Sequence, residues 1–272
     1  MKEWYKDWKK LAVEMRKKIL MMCSEANSGH PGGALSCVEI LIVLLEKAMK
    51  YESPEDPNRD RFIFSKGHAV PALYAYLLEK GYFEPEEIHT FRKYGTRLQG
   101  HPIKEKCPFT DFNPGSLGQG VSAATGMALG YKMKNDPRKV YVLIGDGESD
   151  EGIVWEAASA AAHYHLDHLT YIVDMNAVQL DGTTAEIMNL GDLKKRYEAI
   201  GFLADEINGH DFEELVKAFE HHEEGKPHVI LAHTIKGKGV SYMEGNCEWH
   251  GKAPNAEQLA IALKELEESS HE

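Results

Sequence analysis

Asp146, Gly147 and Asn176 are the residues of this chain best suited by type and spacing to chemistry. Asp146 stands between Gly145 and Gly147, and twenty-eight residues separate Gly147 from Asn176. A carboxylate and a carboxamide offer hard oxygen donors, the ligand type that magnesium takes. The glycine beside them would let a phosphate reach the backbone without meeting a Cβ. Two apolar runs bring these residues together. Val140-Tyr141-Val142-Leu143-Ile144 leads into Gly145, and Leu169-Thr170-Tyr171-Ile172-Val173 leads towards Asn176. Both read as buried parallel strands, with the Ala-rich segment Ile153 to Tyr164 as the crossover helix between them. Strand ends joined this way lie on one edge of a parallel sheet, so Asp146 and Asn176 can converge on one cation. The competing reading is a flavodoxin-like crossover in which Gly145-Asp146-Gly147 is an ordinary turn.

The rest of the chain supplies elements to hold that edge. Trp4, Trp8, Leu11, Met15, Ile19 and Met22 recur at helical spacing up to about Ser24. A Gly-rich loop, Asn27 to Gly33, follows. A second helix is expected from Ser36, as N-cap, to about Met49. Phe62-Ile63-Phe64 reads as a short strand, Pro71 to Lys80 as a helix, Val229 to Thr234 as another buried strand, and Asn255 to Glu268 as an amphipathic helix. Leu117 to Lys132 is a helix rich in Gly and Ala, each glycine weakening it by about 1 kcal/mol relative to Ala. Close backbone packing in a crowded core or a subunit interface would offset this. Tyr94 to Gly115 lacks periodicity, which in a compact domain points to function. The alternation predicts an α/β fold with a mainly parallel sheet flanked by helices, and residues 1–272 as a single domain.

Composition narrows the class. Forty-three Asp and Glu against thirty-one Lys and Arg give a net charge of −12, which argues against nucleic-acid or anionic-membrane partners. No apolar run approaches ~18 residues, so no membrane span is expected. Cys23, Cys37, Cys107 and Cys247 lie far apart without CxxC pairing, as free thiols in a cytoplasmic protein would.

Four histidines sit in turn-like, Gly-flanked sequence: His30, His68, His101 and His250. Low local bulk would let each imidazole reach into a cleft; taken singly, each is more often a loop histidine satisfied by water or a carbonyl. No His-x₃-His spacing suggests a metal pair.

Together with the Gly145-Asp146-Gly147…Asn176 spacing, which is that of thiamine-diphosphate enzymes, these motifs make the chain resemble transketolase in its amino-terminal, cofactor-binding region. The matching segments are Ala26 to Gly32, Ser65 to His68, Gly100-His101-Pro102, Pro114 to Gly120, Gly145 to Gly147 with Glu151, Glu156 and Asn176, and Thr234 to Gly239, in family order over nearly the whole chain. The resemblance implies thiamine diphosphate with magnesium, for which calcium or manganese can substitute. Asp146, Asn176 and the Val178 carbonyl would hold the metal. His68 and His250 would hydrogen-bond the diphosphate, Gly147 would give a backbone N–H, and Gly115 and Leu117 would line the cofactor. His30 and His101 would face the substrate channel. Here Tyr242 to Glu248 is longer than the family's Gly-rich loop, a departure that bears on His250.

Glu151 and Glu156 stand ~500° apart along a helix, so they do not share a face. Acidic residues near a helix start suit its dipole, a sufficient reading for Glu151. Glu156 follows Trp155 in an Ala-rich segment, where burial would demand a partner. The resemblance places both at the subunit interface, linking two active sites.

Whole transketolases are more than twice this length. The resemblance therefore implies the N-terminal subunit of a split enzyme of pentose-phosphate type, transferring a two-carbon ketol group between sugar phosphates. A C-terminal partner subunit would carry the pyrimidine-binding domain, and the pair would form a heterotetramer. Alternatives are a subunit of an oxo-acid dehydrogenase or decarboxylase, a non-catalytic cofactor-binding module, and a magnesium-binding crossover unrelated to thiamine. The ketose and aldose pair stays open, a branched-sugar transketolase included.

Overall fold

Four of the apolar runs read from the sequence, and one polar run that was not, pair side by side into one parallel sheet. In the computed structural model, which describes residues 3–269 and side chains from residue 5 onward, the strands are β1 (Arg61–Phe64), β2 (Val140–Gly145), β3 (Leu169–Met175), β4 (Leu203–Asn208) and β5 (His228–His233). Their order is β1-β2-β3-β5-β4, and every pairing is parallel. The helices are α1 (Glu3–Glu25), α2 (Pro31–Ser36), α3 (Val38–Val43), α4 (Pro71–Glu79), α5 (Gln119–Met133), α6 (Gly152–His163), α7 (Thr184–Ile187), α8 (Leu193–Ile200), α9 (Phe212–Glu220) and α10 (Ala256–Ser269). Trp4, the first position of the predicted apolar stripe, and residues 1, 2 and 270–272 lie outside the described side chains and backbone respectively.

Strand alternation divides the core in two, because successive side chains point to opposite faces. Tyr141 and Leu143 of β2, with Phe62, Phe64, Ile172 and Ile230, pack against α1, α3, α4 and α9. Val140, Val142 and Ile144, with Ile63, Tyr171, Val173, Val229 and Leu231, pack against α5, α6 and α8. Both faces are covered, which is why these strands are apolar throughout rather than alternating. The register places Gly145 beside Asp174, so the residues that follow both strands leave the sheet on the same edge.

Two expectations need correction. Ser36 does not cap a helix running to Met49; it ends α2 and is buried, its hydroxyl taken by the Gly33 carbonyl and the Asp174 carboxylate. Cys37 then breaks the helical path, and the chain resumes as α3 and widens into a π-helical turn, Leu44–Ala48. The glycines of α5 also divide. A Cβ on Gly120 would sit 2.7 Å from Ser65 Cβ, so that position is crowded as expected, whereas Gly126 and Gly130 meet nothing within 4 Å. The aperiodic stretch Tyr94 to Gly115 holds neither helix nor strand.

Candidate active site at the carboxyl edge of the sheet

Loops leaving β1, β2, β3 and β5 enclose a cavity of about 340 Å³ at the carboxyl ends of the strands. Ten of the predicted site residues line it: His30, His68, His101, Gly115, Leu117, Asp146, Gly147, Asn176, Val178 and His250. Glu151 and Glu156 do not. A roomier cleft of about 660 Å³ passes Arg59, Arg61 and Arg97, but contains none of the predicted residues. Its guanidiniums are already held, Arg59 by Asp111 at 2.6 and 2.9 Å, Arg61 by the Tyr131 hydroxyl and Arg97 by Glu87.

The floor of the cavity is built on Asp174, the sixth residue of β3, which is fully buried. A buried carboxylate must be paired and hydrogen-bonded, and here four groups do this. Lys66 forms an ion pair with Oδ2, Ser36 Oγ donates to Oδ2 at 2.5 Å, Asn176 Nδ2 donates to it at 3.1 Å, and Thr234 Oγ1 donates to Oδ1. Burial alone would raise the Asp174 carboxyl; the Lys66 charge and these donors hold it below its ordinary value. Asp174 holds the Asn176 amide through Nδ2, and Asn176 Oδ1 accepts from Val178 N at 3.2 Å with a lone pair left over.

Asp146 has no such cation of its own among the described residues. Its oxygens accept backbone N–H groups, from Gly147 at 2.8 Å and Ala177 at 2.6 Å. Burial, then the nearby Asp174 charge, push its carboxyl up to about 6. A buried carboxylate beside a second carboxylate is an environment that favours added positive charge. The Val178 carbonyl already faces one, accepting from Lys236 Nζ at 3.0 Å. Asp146, Asn176 and Val178 line the same cavity, and their carboxylate, amide and carbonyl oxygens are donors of the type that magnesium takes. A Cβ on Gly147 would meet the Gln179 side chain at 2.9 Å, so a larger residue there would have to displace Gln179.

His30, His68 and His250 cluster, with ring centroids 5.1, 5.3 and 5.4 Å apart and the His68 and His250 rings stacked. Burial lowers all three imidazoles: His30 to about 4, with Arg92 next in effect, His250 to about 3, with Lys236 next, and His68 well below its ordinary value, with Lys66 next. They are therefore neutral, and their tautomers follow from their partners. Arg92 donates to His30 Nδ1 at 3.3 Å and Lys236 donates to His250 Nδ1 at 2.8 Å. In both rings the proton must then reside on Nε2, which becomes an available donor. His101 lines the same cavity, and burial, then Arg92, lower it as well.

Several residues of this site were not assigned from the sequence. Lys66 and Lys236 stand inside the matching segments without a role read for them, and Lys236 is lowered to about 8 by burial and by Lys66. Asp174 could have been found as a charge ending an otherwise apolar strand. Glu148 is a second buried carboxylate, after Asp146, in the loop that follows β2: it accepts from Gly118 N at 2.8 Å, Gly145 N at 3.1 Å and Ser65 Oγ. These bonds fix Gly118, whose φ of +79° and 2.5 Å approach of a built Cβ to Ile153 Cγ2 exclude other residues. Glu156, expected to need a partner in a buried setting, is exposed in the single chain, as is Glu151. The helix turns them out because Val154, Ala157, Ala158 and Ala161 take the face against the sheet.

Comparison with known proteins agrees with this geometry. The family model described as the transketolase thiamine diphosphate binding domain matches residues 9–269. The chain is 42% identical over 257 residues to one of the subunits of the apulose-4-phosphate transketolase of Phocaeicola vulgatus, covering 93% of this chain and 91% of that protein. It is 44% identical to the 6-deoxy-6-sulfo-D-fructose transketolase subunit SqwG of a Clostridium species, covering 93% and 94%. Human transketolase is 41% identical over 247 residues, but the match spans only 39% of its length. Among solved structures, transketolase from Campylobacter jejuni superposes with a TM-score of 0.89 at 34% identity, over 98% of this chain and 43% of that one. With its parallel sheet, its cavity at the strand ends and these matches over nearly its whole length, the chain belongs to the transketolase family, as a thiamine-diphosphate-binding domain.

Proposed function

We propose that this chain is the N-terminal subunit of a split transketolase, moving a two-carbon ketol group from a ketose phosphate to an aldose phosphate with thiamine diphosphate and magnesium. The observation that carries the reading is the lining of one cavity, which joins oxygen donors suited to a metal with the imidazoles of His30 and His250, whose Nδ1 atoms accept from Arg92 and Lys236 and whose Nε2–H is left to donate. The two relatives named as transketolase subunits are matched over more than nine-tenths of their length, whereas the match to human transketolase is confined to 39% of it. That contrast supports a separate chain as the source of the remaining wall.

In this reading Asp146, Asn176 and the Val178 carbonyl would hold magnesium, and His68 and His250 would hydrogen-bond the diphosphate, His250 through Nε2–H. Bound thiamine diphosphate supplies the carbon nucleophile that accepts the two-carbon unit. Lys66 and Lys236 keep the floor electropositive towards the diphosphate. His30 and His101 orient substrate hydroxyls and move protons at the substrate carbonyl oxygen. The partner supplies the pyrimidine-binding domain and most contacts to the sugar phosphate. Glu151 and Glu156, exposed here, would be covered where two such assemblies meet in a heterotetramer and would couple their sites. Among the described residues no helix is long and apolar enough to cross a membrane, and all four cysteines are unpaired, which suits a reducing, cytoplasmic setting.

The deciding assay is ketol transfer from a ketose phosphate to an aldose phosphate, with magnesium and thiamine diphosphate, for the chain alone and mixed with a pyrimidine-domain subunit. The expected result is activity only in the mixture. Full turnover by the purified chain would reject the split-enzyme reading. Failure with every such subunit would reject catalysis in favour of a cofactor-binding module.

A further inference from the structure

We propose that Asp205, His221 and His228 form a second metal site, for a borderline divalent transition-metal ion of the zinc class, on the sheet edge opposite the active-site cavity. The ligand atoms come from three elements. Asp205 is the third residue of β4, His221 follows the last residue of α9, and His228 opens β5. His221 Nδ1 lies 2.7 Å and His228 Nε2 lies 2.9 Å from the same oxygen, Asp205 Oδ2, and the three ligand atoms lie within 4.8 Å of one another.

The donor set selects the ion. Two imidazole nitrogens and one carboxylate oxygen suit zinc and its neighbours, and suit magnesium or calcium poorly. In tetrahedral coordination with bonds of ~2.0–2.1 Å, donors stand about 3.3 Å apart. The observed 2.7 and 2.9 Å contacts would open by about half an ångström, and the two imidazole nitrogens, within 4.8 Å of one another, would settle to the same spacing. His228 is buried and fixed by its strand, with 6% of its side chain exposed, while His221 is half exposed at 50%. The site thus has a rigid wall and an open face, where water completes the coordination.

Position separates this site from the other one. His228 begins β5, whereas the active-site cavity lies beyond the carboxyl ends of the strands; a six-residue strand spans roughly 17 Å. An ion bound here touches none of the proposed cofactor residues. It would instead clip the end of α9 to β4 and β5 and close the connection 222–227. The competing arrangement uses the same three side chains as a metal-free hydrogen-bonded clasp.

The test is calorimetric titration of the full, tag-free chain with Zn²⁺ under saturating Mg²⁺, which occupies the oxygen donor set, together with the visible spectrum of the Co²⁺-loaded chain. The expected result is one equivalent of Zn²⁺ bound at micromolar affinity or tighter, with the intense ligand-field bands of four- or five-coordinate cobalt. His221→Ala, chosen because that side chain is half exposed and the fold does not rest on it, should weaken this binding at least tenfold and flatten the cobalt bands. His222→Ala should change neither. Absence of stoichiometric binding by the native chain would overturn the site, as would binding that survives His221→Ala or is lost in His222→Ala.

Discussion

The Lys66 ammonium closes on the Asp174 carboxylate with 2% and 0% of the two side chains left exposed. Removing one member leaves the other charged and buried, which typically costs about 3–5 kcal/mol. Asp174→Ala should therefore lower stability by about 3 kcal/mol or more, and Lys66→Met by a similar amount. The double variant should lose less than the sum, because neither charge is then stranded. Urea unfolding of the three variants measures this. Additive losses would show that the pair is not coupled.

Asp146 and Asn176 carry the metal assignment. Asp146→Ala removes a buried carboxylate of the cavity that forms no ion pair among the described residues, and should weaken thiamine-diphosphate binding to the assembled protein at least tenfold in the presence of magnesium. Titration calorimetry on the assembled protein reads this directly, and unchanged affinity would remove Asp146 from the site.

Acid should act through the imidazole cluster. In the fold, His30 is lowered to about 4 and His250 to about 3, while unfolded histidine titrates near ~6.5. As pH falls from about 6.5 towards 4, the unfolded chain takes up protons that the folded chain refuses. Stability is therefore fully present above this window and is lost within it, by at most ~1.4 kcal/mol per pH unit for each imidazole, and less in proportion to the solvent each still meets. The check is urea midpoints at pH 7 and pH 5: His30→Asn should show a shallower decline than the native chain. Equal slopes would place the acid sensitivity elsewhere.

His30 and His68 neighbour each other but should fail differently when replaced. His30→Ala should lower turnover of the assembled enzyme about tenfold or more with cofactor affinity nearly unchanged, because Arg92 occupies Nδ1 and leaves Nε2–H to donate, in the proposed role towards the substrate. His68→Ala should reduce both turnover and cofactor affinity. A His30 variant that lost cofactor yet turned over normally once saturated would reverse the two roles.

The sequence was most legible where a strand is covered on both faces. β1, β2, β3 and β5 are continuous apolar runs, and the residues just beyond β2 and β3 followed from their ends. β4 was not legible, because of Leu203-Ala204-Asp205-Glu206-Ile207-Asn208 only Ala204 is buried, and at the sheet edge the run carries polar residues and reads as a polar segment. Ser36 shows a second limit. Its hydroxyl looked like a helix cap, but its partner, Asp174, is 138 positions away. The cluster of Asp205, His221 and His228 shows a third: its members gather through a strand pairing and a helix end, at separations no short motif encodes. Among carboxylates, Glu148, Glu151 and Glu156 differ only in which way the chain turns after β2, and no local pattern marks Glu148 as the one of the three that turns inward.

β4 pairs with β5 on one side only, so its other side carries peptide groups that invite another strand. Asp205 and Glu206 place charge along that border, and both are tied to histidines, Asp205 to His221 and His228 and Glu206 to His233. A stray strand zipping onto this border would have to strip water from acidic side chains. Ribbon-like polymerisation is discouraged at a place where an open sheet most readily starts it.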